Sequence, residues 1–152
     1  MNYKILTLAL TFLTVVFMGC SKDEDNDPSK GVVKFTVTSS GTFNTANNHS
    51  LDVSIGAFDA DGNFLDVKIN GEVSSGVKVL HRKHDADFNG GKTYTFETVG
   101  DYDHVQINVA AFSISGSFDL NYKIEQGDKV IAEESLTITE DGNAYTQPYV
   151  LK

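Results

Sequence analysis

The chain has no tryptophan, one cysteine, two prolines and two methionines in 152 residues. A lone cysteine has no intramolecular partner, so no internal disulfide can staple the fold. Basic residues are also scarce. Twelve Lys and Arg stand against 21 Asp and Glu, for a net charge of −9. So acidic a chain lacks the clustered cations that hold nucleic acid or an anionic membrane electrostatically. Long apolar runs are missing too. The longest, Ile5 to Met18, covers about 14 residues and is broken by Thr7, Thr11 and Thr14; a spanning helix needs roughly 20. There is no Gly-x-Ser-x-Gly elbow, no His-Glu-x-x-His pair and no phosphate-binding glycine loop, which leaves enzyme chemistry without a motif. No stretch beyond residue 31 has convincing helical periodicity.

What is present begins at that cysteine. Lys4 gives a short positive start, Ile5–Met18 an apolar segment, and Gly19 a small residue before Cys20. This is the layout of a secretory signal with its cut after Gly19. Phe17-Met18-Gly19-Cys20 resembles a bacterial lipobox, although Phe17 replaces the commoner Leu. Ser21-Lys22-Asp23-Glu24-Asp25 resembles the acidic export signal of lipoproteins displayed on the surface of Bacteroidota. The resemblance implies a Cys20 carrying acyl chains such as palmitate, anchored in the outer membrane and facing outward. Each buried CH₂ adds about 0.8 kcal/mol, and stable anchoring takes more than one chain. A triacylated cysteine meets that need and removes a reactive thiol from an oxidising compartment. Cutting after Gly19 removes one lysine and leaves 133 residues at net charge −10. The expected organisation is a signal peptide over 1–19, a lipidated Cys20 with a disordered acidic tether over 20–31, and one domain over 32–152. Residues 21–31 are acidic and small, with no large apolar side chain.

The domain reads as all-β. Val33, Phe35 and Val37 alternate with polar neighbours, as do Leu51–Ala57, Leu65–Ile69, Tyr94–Phe96, Val105–Val109 and Phe118–Ile124. Val77–Val79 is a weaker run. Val130–Ile138 is a long strand interrupted by Glu134, and Tyr145–Leu151 a last strand that Pro148 marks as an edge or a bulge. Asp61-Gly62, Gln126-Gly127-Asp128 and Asp141-Gly142 are turns. About eight or nine strands with one apolar face each predict an antiparallel β-sandwich. Tyr94-Thr95-Phe96, Val99-Gly100 and Val105-Gln106-Ile107-Asn108-Val109 faintly resemble prepeptidase C-terminal type sandwich domains, a likeness that implies the fold and no activity.

Three constellations could carry chemistry. Asp59, Asp61, Asn63 and Asp66 offer oxygens around a glycine turn, as Ca²⁺ requires, but the bidentate Glu of a helix-flanked loop is replaced by Asn70. His81, His84 and Asp85 could ligate a transition metal, with His49 or His104 as a further ligand, yet histidines three apart on a strand face opposite ways. On composition, 81–87 is a solvated loop. Tyr102, Tyr145 and Tyr149 could form a binding face, whereas Tyr94 and Tyr122 share the apolar phase of their strands and belong to the core. Together these features point to a lipid-anchored surface module for binding or structure, in adhesion, an outer-membrane assembly or glycan contact. The alternatives are a metal- or cofactor-binding lipoprotein using the His81–Asp87 loop, or a small hydrolase.

Overall fold

The computed structural model describes residues 31–74 and 79–152; the signal segment, Cys20 and most of the tether lie outside the described residues, as does Val77. The strands are β1 (Val33–Ser39), β2 (His49–Phe58), β3 (Val67–Ile69), β4 (Glu72–Val73), β5 (His81–His84), β6 (Thr93–Thr98), β7 (His104–Ser113), β8 (Phe118–Gln126), β9 (Lys129–Ile138) and β10 (Tyr145–Leu151). They form a six-stranded sheet, ordered β4-β3-β6-β1-β8-β9, and a four-stranded sheet, ordered β10-β7-β2-β5. Every pairing is antiparallel. The protein is an all-β sandwich, as its alternation predicts.

Two readings need correction. Residues 81–84 are not a loop: they pair with β2 from Asp52↔His84 to Ile55↔His81. Their charge masks a strand because only His81 is buried, Lys83 on the same face being half-exposed over the Tyr94 ring. Leu65 and Asp66 precede β3 rather than belong to it, although Leu65 N–H still donates to the Ala57 carbonyl.

The core follows the alternation. Val33, Phe35, Val37, Leu51, Val53, Ile55, Val105, Ile107, Val109, Leu120 and Ile124 are all buried between the sheets. Phe35 stacks on Phe96 at 5.6 Å and meets the Tyr122 ring edge-on at 6.4 Å. At one end a second group closes the sandwich. Phe43 packs edge-on against Phe118 at 4.8 Å and beside His49 at 5.7 Å.

Strand direction divides the domain into two poles. β1, β7 and β9 run from the first pole to the second, and β2, β6, β8 and β10 return. The chain enters at the first pole. Gly31 sits so close to the β8–β9 turn that a Cβ there would lie 2.5 Å from Gly127 Cα, a contact only glycine permits. The second pole carries the loops 40–48, 89–92, 114–117 and 139–144.

Candidate functional site

Asp59 anchors the β2–β3 loop. Its carboxylate accepts from Asp61 N–H at 3.0 Å, Asn63 N–H at 2.8 Å and the Asn63 side-chain amide at 3.0 Å. These bonds satisfy the turn's backbone donors, as an Asp in a tight turn does. Among the described residues no three His, Cys, Asp or Glu side chains gather into a metal-holding group. The loop abuts the β6–β7 loop, through Asp103 N–H to Phe58 O and Val99 N–H to Asp66 O. Asp59, Asp61, Asp66, Asp101 and Asp103 therefore share the entry pole without converging.

The structure takes the proposed transition-metal set apart. His81 is buried at 7 % exposure, while His84, three residues on, faces solvent. Asp85 holds a positive φ of 41° and turns its carboxylate onto β2, accepting from Ser50 Oγ at 2.9 Å and Leu51 N–H at 3.3 Å. It covers the β2 edge where β5 stops. Ser74 Oγ lies 3.1 Å from His81 Nε2 and 3.4 Å from Nδ1, and donates to Val67 O at 3.0 Å. A hydroxyl within 3.4 Å of both nitrogens lies off either lone pair, so this is a packing contact rather than a nucleophile–base pair.

Burial lowers the His81 pKa, opposed in part by the negative charge of Asp66. A lowered folded-state pKa means that the unfolded chain binds the proton more readily. The stability contributed by neutral His81 is therefore complete above the unfolded value of about 6.5 and is lost as pH falls below it. His81→Leu should flatten that part of the profile. Denaturant melts at pH 7.5 and pH 5 would show a smaller acid loss than in the parent; an unchanged loss would mean that His81 is not the group responsible.

The three tyrosines offered as a binding face are not one. Tyr102 is a core residue at 7 % exposure; its hydroxyl donates to Gly31 O at 3.0 Å and accepts from Gln126 Nε2 at 2.8 Å. It pins the chain at Gly31, just before β1. Tyr145 and Tyr149 turn inward from β10, half-buried, and both bond the Tyr122 hydroxyl, at 2.6 Å and 2.8 Å. Burial, and then those two hydrogen bonds, push the Tyr122 pKa far up; burial also raises Tyr145. The three phenols thus stay neutral and stitch β8 to β10 across the sheets. Tyr122 is core, as its strand phase implies, and Tyr94 is half-buried against it.

Two features escaped the sequence reading. Phe58 and Phe64 pack at a tilt with ring centroids 4.6 Å apart, and His104 lies parallel to Phe58 at 4.6 Å with its Nδ1 3.1 Å from the Asp103 carboxylate. This aromatic patch lies on the outer face of the smaller sheet. Its signal was Phe58, an aromatic in the polar phase of β2. The second is the bracing of the far pole. Asn44 N–H donates to His49 Nδ1 at 3.1 Å, so Nε2–H donates to Ser115 O at 2.8 Å. Thr45 N–H meets Asn89 Oδ1 at 2.9 Å, and Gly116 N–H meets Glu140 Oε2 at 3.0 Å. One buried histidine and two side-chain bridges tie four loops together. They present Asn, Thr, Ser and Gly outward, residue types suited to adaptable hydrogen bonding.

No protein-family model and no curated protein matches the chain. Solved structures do. A DUF4425 family protein from Bacteroides ovatus aligns over 80 % of this chain and 94 % of its own, with a TM-score of 0.57 and 16 % identity. A domain of unknown function, DUF4425, from Bacteroides vulgatus aligns over 81 % and 94 %, with a TM-score of 0.58 and 18 % identity. The calcium-bound form of a protein from Parabacteroides distasonis, solved by NMR, aligns over 79 % and 93 %, with a TM-score of 0.55 and 15 % identity. The class these likenesses define is a β-sandwich fold found in proteins of Bacteroides and Parabacteroides.

Proposed function

We propose that this protein is a lipid-anchored module on the outer surface of a Bacteroidota cell, and that it binds a partner through the pole opposite its tether. The observation that carries this reading is the geometry of chain entry. Tyr102 and the Gly31–Gly127 contact fix the entry at one pole. A chain lipidated at Cys20 and entering there turns the loops 40–48, 89–92, 114–117 and 139–144 away from the membrane. Those loops are held by a buried aromatic group, which lowers the ordering cost of contact. The test is Cys20→Ser in the full chain, which should move the protein from the membrane fraction to the soluble one.

A second reading is favoured by the neighbour solved in its calcium-bound form. The entry-pole donors are chemically right for Ca²⁺, being carboxylates and an amide oxygen on adjacent loops. Asp59, Asp61, Asn63 and Asp66 would hold the ion, with Asp101 or Asp103 from the neighbouring loop. Binding to the folded state alone adds about 2.7 kcal/mol at a hundredfold excess over Kd, equal to several degrees in Tm. Millimolar Ca²⁺ should raise the Tm, and Asp61→Asn should cancel the rise. An unchanged Tm in the parent protein removes this reading.

A further inference from the structure

We propose that the free edge of β9 takes up an extended, basic segment of another protein as a seventh strand of the larger sheet. Natural sheets blunt their edges with short strands, prolines or added charge, because an open edge is a template for pairing. Three of the four edges here are blunted by shortness or proline, whereas β9 relies on charge, Glu133 and the inward-phase Glu134, which deters a like-charged strand but not a basic one. β4 has two residues, β5 has four, and β10 carries Pro148, which has no N–H to offer. β9 has ten residues and no proline. Its irregularity is confined to its start, where the register with β8 shifts between Ile124 and Glu125. From Ala132 to Ile138 the pairing with β8 is regular, so the outer side of this run is a continuous row of backbone groups with no strand beside it among the described residues.

Beside that edge lies a groove of about 270 Å³, lined by Leu136, Ile138, Asp141, Asn143 and Tyr145. A strand added to β9 would point alternate side chains over it, which supplies side-chain selection on top of main-chain pairing. Charge settles the occupant. Glu134 stands on the inward phase of β9, across from Tyr122, with no ion-pair partner among the described residues. Glu133 and Asp141 add negative charge on either side. Lys123, the register partner of Glu133, divides its charge between Glu133 and Glu125, the latter at 2.7 Å, so this edge stays net negative. The complement is a strand bearing Lys or Arg. A second copy is the poorer fit, because full antiparallel overlap of two β9 strands sets Glu133 against Glu134.

The probe is a heptapeptide alternating lysine and valine, added to the mature protein and followed by amide hydrogen exchange. Exchange within Ala132–Leu136 should slow by roughly tenfold or more, with no comparable change in β4, β5 or β10. Glu133→Lys combined with Glu134→Lys should weaken that protection by roughly tenfold while leaving the Tm unchanged, since both side chains are exposed. No slowing in β9 would overturn the proposal. So would equal protection by a glutamate–valine peptide, or protection that rises with protein concentration alone, which would make a second copy the occupant.

Discussion

Ile107→Asp abolishes cooperative folding, while Gln106→Asp and Asn108→Asp do not. Ile107 lies at the centre of β7, paired with Ile55 on one side and Tyr149 on the other, and is 2 % exposed. The substitution removes a buried aliphatic side chain, at about 2–5 kcal/mol. It also places a carboxylate where no cation can reach it, at a further several kcal/mol. A domain of this size has about 5–15 kcal/mol in all. Gln106 and Asn108 point from the other face of the same strand, where a change costs about 1 kcal/mol or less. Circular dichroism melts separate the two outcomes. A cooperative transition of the Ile107 variant at the parental temperature would place the wrong face of β7 in the core.

Cys20→Ser should have an equally large effect on location and none on fold. The domain begins at Val33, and the side chains that hold its entry point, Tyr102 and Gln126, belong to the domain itself. On the proposed lipidation the variant loses about 0.8 kcal/mol of membrane affinity per CH₂, and the acidic chain offers no electrostatic substitute. Detergent phase partition and the Tm of the variant should then diverge: full release to the aqueous phase at an unchanged melting temperature. A variant that stays with the membrane would show that some other segment holds it.

The two sheets were legible in the sequence because burial on one face writes itself as alternation. Val33-Phe35-Val37 and Val105-Ile107-Val109 needed nothing else. β5 was hidden for the opposite reason. An edge strand of His81-Arg82-Lys83-His84 buries a single side chain, so its pattern looks like that of a wet loop. Pro148 narrows β10 to an edge or a bulge, the places where a missing N–H is tolerated, and the sheet order makes it an edge. Site residues were harder, because one residue type can serve turn, core or ligand. Asp85 looked like a metal donor and is spent on the Ser50 hydroxyl and the Leu51 N–H of β2. Tyr102 looked like a contact residue and is a strap on the chain entry. What decided each case was a partner distant in sequence, such as Gly31 for Tyr102 or Ser50 for Asp85. A pattern of neighbours along the chain carries no record of those pairs.

The central claim is that an outward-facing, lipid-anchored sandwich presents its far pole to the outside. Labelling of Asn47→Cys on intact cells with a membrane-impermeant maleimide tests it most directly. Asn47 lies in an exposed loop at that pole, and in the proposed mature form Cys20 carries its lipid and offers no competing thiol. The account predicts labelling of intact cells as complete as that after lysis. Labelling seen only after lysis would place the domain inside the envelope and contradict it.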